Sequence, residues 1–194
     1  WGGTVTLAAN TEIQSDAGTL TLGGAPTSVA ATTRALTFDG AGNGLIAGAV
    51  TGTTATLTKN GVGTLTLQSA NSYQGATTVN AGVLNLQNNT ATGTVAGGVT
   101  VANNAALELQ GGITVGAEAL SINGTGVIGN GALRNISGDN SWGGAVTLAA
   151  NSEIQSDAGT LTLNTVTGAT RTLTFDGAGN GLIGGAITTT TGGL

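Results

Sequence analysis

The sequence has no cysteine, no methionine, no histidine and a single proline, Pro26, in 194 residues. Without cysteine there are no disulfide staples and no thiolate metal sites, and the redox compartment is left open. Without histidine there is no imidazole to move a proton near neutral pH. Charged residues make up 7% and aromatic residues 3%, against roughly 25% charged in ordinary soluble domains. A chain so poor in rings cannot build a large aromatic core. Its four cations, Arg34, Lys59, Arg134 and Arg171, face nine acids for a net charge of −5. Four scattered cations form no basic patch, which speaks against nucleic acid as a partner. The longest apolar runs, such as AVTLAA at 145–150, are far too short to span a bilayer, so no membrane span is expected here. Trp1 is not followed by a charged and then apolar leader, so any targeting signal is expected outside these residues.

What is abundant is glycine, 36 residues, together with Thr, Val, Leu and Ala. The chain also repeats itself. WGGTVTLAANTEIQSDAGTLTL at Trp1 returns as WGGAVTLAANSEIQSDAGTLTL at Trp142, with 20 of 22 residues identical at an offset of 141. ALTFDGAGNGLIAGAV (35–50) returns as TLTFDGAGNGLIGGAI (172–187) at an offset of 137. The difference lies in GGAPTSVAATTR (23–34), which is shortened in the second copy and is therefore expected to be a surface loop. A shorter period lies inside the long one. TTVNAGVLNLQ (77–87) resembles VTVANNAALELQ (99–110) at a spacing of 22 to 23. Periods of 20 to 50 residues signal solenoids.

The segments TVTL, TLTL, ALTF, TATLT, GVTV and ALELQ alternate polar and apolar residues with period two, which reads as short strands. Gly-Asn, Asn-Gly and Gly-Gly separate them at corners that need left-handed backbone. No stretch carries a helical stripe with caps. The expected fold is all-β: a parallel β-solenoid of about 23 residues per coil and roughly eight coils, with strands in two or three parallel sheets. Residues 1–141 read as one complete six-coil repeat and 142–194 as the start of the next. Together they form one continuous solenoid, read as a window on a longer array. Inward Val, Leu, Ile and Ala fill a narrow core, and Thr, Ser, Asn and Gln face water. One coil cannot bury its own apolar face, so coils stack, and duplication lengthens the stack.

One segment carries a family signature. GVGTLTLQSANSYQGATTVNAGVLNLQ (61–87) resembles the autotransporter-associated β-strand repeat, also called the passenger-associated transport repeat. Gly61, Gly63, Thr64 to Leu67, Asn71, Tyr73, Gly75, Thr77, Val79, Gly82 and Leu84 fit its pattern of G-x-G-T-L-T-L, N-x-Y-x-G and T-x-V-x-x-G-x-L. The flanking ALRNISGDNSWGG and GTLTL segments are similar to what accompanies it. The resemblance implies a right-handed parallel β-helix in a bacterial protein whose passenger crosses the outer membrane and is displayed outside. It implies no catalytic residues.

Other constellations have structural readings. Gly179-Asn-Gly181-Leu-Ile-Gly184 spells G-x-G-x-x-G, but a dinucleotide loop needs a following helix, and GGAITTTTGG cannot supply one. FDGAGNG occurs twice, with Asp39/Asn43 and Asp176/Asn180, and offers oxygens to calcium. It lacks both known calcium-loop spacings, so hydrogen-bonded turns are expected. Glu12/Asp16 and Glu153/Asp157 could pair as a glycosidase couple, but solvated surface acids are the expectation. Thr-x-Thr pairs at Thr4/Thr6, Thr19/Thr21, Thr64/Thr66 and Thr160/Thr162 evoke ice-binding faces, yet they do not recur once per coil. Trp1, Trp142 and Tyr73 are expected to cover the edge of the core, and Phe38 and Phe175 to lie in it, rather than stack on sugars. Asn88, Asn123 and Asn135 open N-x-S/T sequons. No catalytic, cofactor or metal site is expected, and no enzyme. The expected role is a structural segment of a secreted or surface-displayed solenoid, a shaft or fibre of an adhesin or passenger. Its partners would be neighbouring repeats, further copies end to end or side by side, or surface glycans. A carbohydrate-binding or carbohydrate-cleaving β-helix is the alternative.

Overall fold

The computed structural model describes residues 1–23 and 26–189. They form a parallel β-solenoid of about nine turns, with almost no helix. Each turn visits three faces. The first face stacks Thr11–Gln14, Leu36–Asp39, Leu57–Lys59, Thr77–Val79, Val99–Val101, Leu120–Gly124, the start of Val146–Ser156, Val166–Thr167 and Ile187–Thr188. The second stacks Thr19–Leu22, Asn43–Ile46, Thr64–Leu67, Gly82–Leu86, Ala105–Gln110, Leu133–Ser137, the end of Val146–Ser156 and Leu173–Asp176. The third begins with Val5–Thr6, Thr27–Thr32 and Ala49–Gly52, and resumes with Thr114–Val115, Asn140–Trp142, Thr160–Leu163 and Asn180–Ile183. In the gap the coils stay bonded without strands: Ser72 N–H donates to Val50 O at 3.0 Å and Thr94 N–H to Tyr73 O at 2.9 Å.

Period-two alternation sets the core. On the first face Leu36, Leu57, Thr77, Val99, Leu120, Val146 and Val166 lie one above another. On the second Leu65, Leu84, Leu107, Leu133 and Ile154 do the same. All are buried, and each buried aliphatic side chain stabilises the fold by roughly 1.5–3 kcal/mol. Phe38 is buried as expected, but its copy Phe175 is 37% exposed, because it lies in the last described coil of its face.

The coils are about 21 residues apart rather than 23. The unadorned coil is short: Leu36 pairs with Leu57 and Leu57 with Thr77. The longer average comes from a few expanded coils. Leu107 pairs with Leu133 across a protrusion that includes the 3-10 turn Val127–Gly129. The segment expected to be a surface loop is instead largely strand. Thr27–Thr32 joins the third face, with Val29 and Ala31 fully buried, because those two residues keep the inward parity. Gly24 and Ala25, like Thr190–Leu194 at the other end, lie outside the described residues.

Glycine is required where corners stack. A Cβ on Gly63 would stand 2.0 Å from Gly42 O. One on Gly44 would stand 2.2 Å from the Phe38 ring, so this glycine makes room for the phenyl group in FDGAGNG. The two long copies are not on the same faces. TLTL at Thr19–Leu22 belongs to the second face and TLTL at Thr160–Leu163 to the third; LTFD moves from the first to the second. The offset of 141 is therefore six turns and one face, not six turns.

Candidate functional site

A buried polar cluster sits in the corner between the third and first faces. Glu118 is 2% exposed and shares the inward parity of Leu120. One carboxyl oxygen, Oε2, accepts from the Thr92 hydroxyl. The other, Oε1, is buried with no hydrogen-bond partner. Burial pushes the Glu118 carboxyl up to about 7, against the bond from Thr92. Nearby, the Tyr73 hydroxyl meets the Thr77 hydroxyl at 2.8 Å. Burial, and to a lesser degree the Glu118 charge, push the Tyr73 hydroxyl up, against the bond to Thr77. Trp142, fully buried, donates its indole N–H to Glu118 O at 2.7 Å. None of these groups presents a reactive atom to solvent; the cluster is a polar plug in the core. Solvation was the sequence expectation for the acids, and Glu118 departs from it because its alternating position points inward.

Lys59 is the second surprise. It stacks in register between Phe38 and Val79 and is fully buried. Its ammonium donates to Asn60 O, to Gly61 O at 2.6 Å and to Ala81 O at 3.3 Å. Burial lowers it to about 8, with Asp39 opposing. The amine thus ties the corners of two coils together.

The second face carries a vertical ladder of half-buried charged and amide side chains. Asn85, Glu108, Arg134 and Gln155 stack in register. Asn85 Nδ2 donates to Glu108 Oε2 at 3.1 Å, and Arg134 pairs with Glu108 at 3.4 Å and with Asp157 at 2.6 Å. Gln68, Gln87 and Gln110 run beside it, linked at 3.2 Å in each step.

The flagged motifs resolve into turns and strands. Asp39 Oδ1 accepts the N–H of Gly40, and Asp176 Oδ1 that of Gly177, both at 2.6 Å. Asn43 Oδ1 accepts from Thr64 N–H, one coil on, at 2.9 Å. Asn180–Ile183 is a strand, so the glycine motif there opens no helix. Asp16 accepts from Gln14, and Asp157 from Gln155 besides its Arg134 partner. Burial, and Asp176 in second place, raise the Glu153 carboxyl. Among the described residues no group of three His, Cys, Asp or Glu side chains is arranged to hold a metal. The Thr-x-Thr pairs are split between the second and third faces. Tyr73 and Trp142 lie wholly inside the core rather than at its edge, while Trp1 is 73% exposed. Asn135 is buried, donating to Gly138 O, Ser156 Oγ and Ala158 O. Among the described residues no helix is long and apolar enough to cross a membrane.

Asn71 explains the N-x-Y-x-G spacing. Its Oδ1 accepts from Val50 N–H at 2.7 Å on one side, and its Nδ2 donates to Ala91 O on the other. The side chain replaces strand bonds where the third face has no strand, and Tyr73, two residues on, fills the interior. Gly75 then passes so close to the coil below that a Cβ would stand 2.5 Å from Ala55 O.

The model of the passenger-associated-transport-repeat family matches residues 57–86 and 154–171, together about a quarter of the chain. The first match covers one full turn and two further faces, from Leu57–Lys59 to Gly82–Leu86. The second, in the duplicated part, lacks N-x-Y-x-G, the signal by which the first is legible. Comparison with curated proteins and with solved structures gives no match.

Proposed function

We propose that this chain is a structural segment of a bacterial passenger, a shaft that is secreted or displayed on the cell surface and acts by mechanical extension rather than by catalysis. The observation that carries this reading is the pairing of the passenger-associated repeat at 57–86 with a core that runs unbroken through the solenoid. Each turn adds about 4.8 Å of length through backbone ladders, and each turn needs only its neighbours for stability. Few charges and no cysteine suit a chain that is moved unfolded and folds where it is displayed.

The lack of cysteine offers a clean test. Val62 is 72% exposed, so Val62→Cys introduces an accessible thiol into a cysteine-free segment, with the unsubstituted protein as the blank. In the bacterium that makes the protein, a membrane-impermeant maleimide should label this variant on intact cells or in the medium as fully as in lysates. Labelling only after lysis refutes display.

A further inference from the structure

The three faces differ in one respect that the repeat does not explain. The second carries the charge ladder, and the third loses its strands between Ala49–Gly52 and Thr114–Val115. The first presents one uniform rank. Beyond Glu12, the exposed residue that heads this column, Thr37, Thr58, Thr78, Thr100, Ser121, Thr147, Thr167 and Thr188 stack in register as the outward residues of successive strands, eight uncharged rungs in a row. Beside it runs a second rank held by the same backbone ladder: Ala35, Thr56, Ala76, Gly98, Ala119, Ala145, Thr165 and Ala186. From Thr56 to Thr188 the strands of this face contain one charged residue, Lys59, whose amine is turned inward. The rank persists across the shift of face between the two long copies, so duplication did not produce it. The strands that supply it, LTF at 36–38 and VTL at 146–148, differ in sequence.

We propose that this first face is a self-docking surface on which a second copy of the chain packs side by side. Three features select a second copy. The partner must match hydroxyls repeating every 4.8 Å or so over eight rungs, and another copy does so by identity. The chain carries a net charge of −5, so two copies avoid mutual repulsion best along the rungs from Thr58 to Thr188, clear of Glu12 and Asp39 at one end of the face. A face about 34 Å long and about 14 Å wide buries roughly 1,000 Å² over both partners, the lower limit for a specific interface. The expected complex is a reversible dimer related by a two-fold axis. This inference stands on the face alone and does not rest on the shaft reading.

Sedimentation velocity of the full chain from micromolar to millimolar concentration tests it. Thr78 and Thr147 lie equally far from the two ends of the rank, so like charges at both meet in either mutual orientation. The wild-type chain should double in mass as concentration rises. Thr78→Glu/Thr147→Glu and Thr78→Lys/Thr147→Lys should each stay monomeric, and an equal mixture of the two should recover the dimer. Thr21→Glu/Thr174→Glu, on the second face, should behave as wild type. A wild-type chain that is monomeric throughout, a mixture that fails to associate, or a second-face variant that is equally disruptive overturns the proposal. A monomer that is taken up by growing ice, and loses that uptake in the first-face variants, also overturns it and assigns the face to ordered water.

Discussion

Glu118→Gln should make the solenoid more stable at neutral pH and leave it unchanged in acid. The native carboxyl is buried, has one hydroxyl partner in Thr92 and leaves Oε1 with none. A neutral carboxyl tolerates that site; a carboxylate does not. Its folded value of about 7 stands above the ordinary 4.5. Between those values the folded state holds a proton that the unfolded chain releases, so stability falls as pH rises. The contribution is fully present below about 4.5, is lost through about 7, and amounts to about 3 kcal/mol. Glutamine keeps the shape and cannot ionise. Thermal unfolding of the two proteins followed from about pH 4 to about pH 8.5 should therefore coincide in acid and separate by about 6–12 °C above neutrality, glutamine higher. Tyr73, the titratable neighbour named with it, stays protonated throughout this range. Curves that run parallel across the whole interval would refute the claim that Glu118 is desolvated in the fold.

Phe38→Ala should cost about 3–5 kcal/mol in denaturant unfolding, as for other buried rings, and Phe175→Ala, the same residue of the motif at 37% exposure, less than half as much. Thr37→Ala, on the outer face beside Phe38, should change stability by about 0.5 kcal/mol or less; a loss equal to that of Phe38→Ala means that inward and outward are inverted. Gly63→Ala should cost about 2–3 kcal/mol, since its Cβ would stand 2.0 Å from Gly42 O. Gly2→Ala, with nothing within 4 Å, serves as its control, and equal midpoints for the two would refute the close stacking of corners.

The fold is legible in the sequence because period-two alternation and glycine corners are local signals, and Thr-x-Leu reads the same way wherever it falls. The family signature is legible because Asn71, Tyr73 and Gly75 do separate jobs at fixed spacing: a bond up and down, a ring inward, a close pass. What stays hidden is what depends on the neighbouring coil. Lys59 and Glu118 are inward by parity, yet their residue types argue for solvent, and only the carbonyls of Asn60, Gly61 and Ala81 or the hydroxyl of Thr92 make them tolerable inside. The threonine rank of the first face is hidden by uneven spacing. Thr78 follows Thr58 by 20 residues and Thr147 follows Ser121 by 26, so no fixed period finds it.

The duplication shows which of these levels the sequence encodes most directly. The two copies lie on different faces, yet their vertical contacts are the same. Ile13 lies beside Phe38 in one, and Ile154 beside Phe175 in the other. Leu20 pairs with Gly44, and Leu161 with Gly181. Asn10 Oδ1 accepts from Ala35 N–H, and Asn151 Oδ1 from Thr172 N–H, at 3.0 Å each. These pairs survive although the first copy spends 25 residues between Ile13 and Phe38 and the second 21 between Ile154 and Phe175. The extra residues go into the longer strand Thr27–Thr32 and the corners around it. A solenoid's interior is nearly equivalent on its three sides, so a face has little identity of its own; stability comes from each coil and the coil it touches. A unit of six turns and one face can therefore be inserted without penalty, provided that each strand finds its accustomed neighbour. The exception proves informative: the uncharged rank on the first face is kept through the change of phase, where nearest-neighbour packing alone gives no reason to keep it.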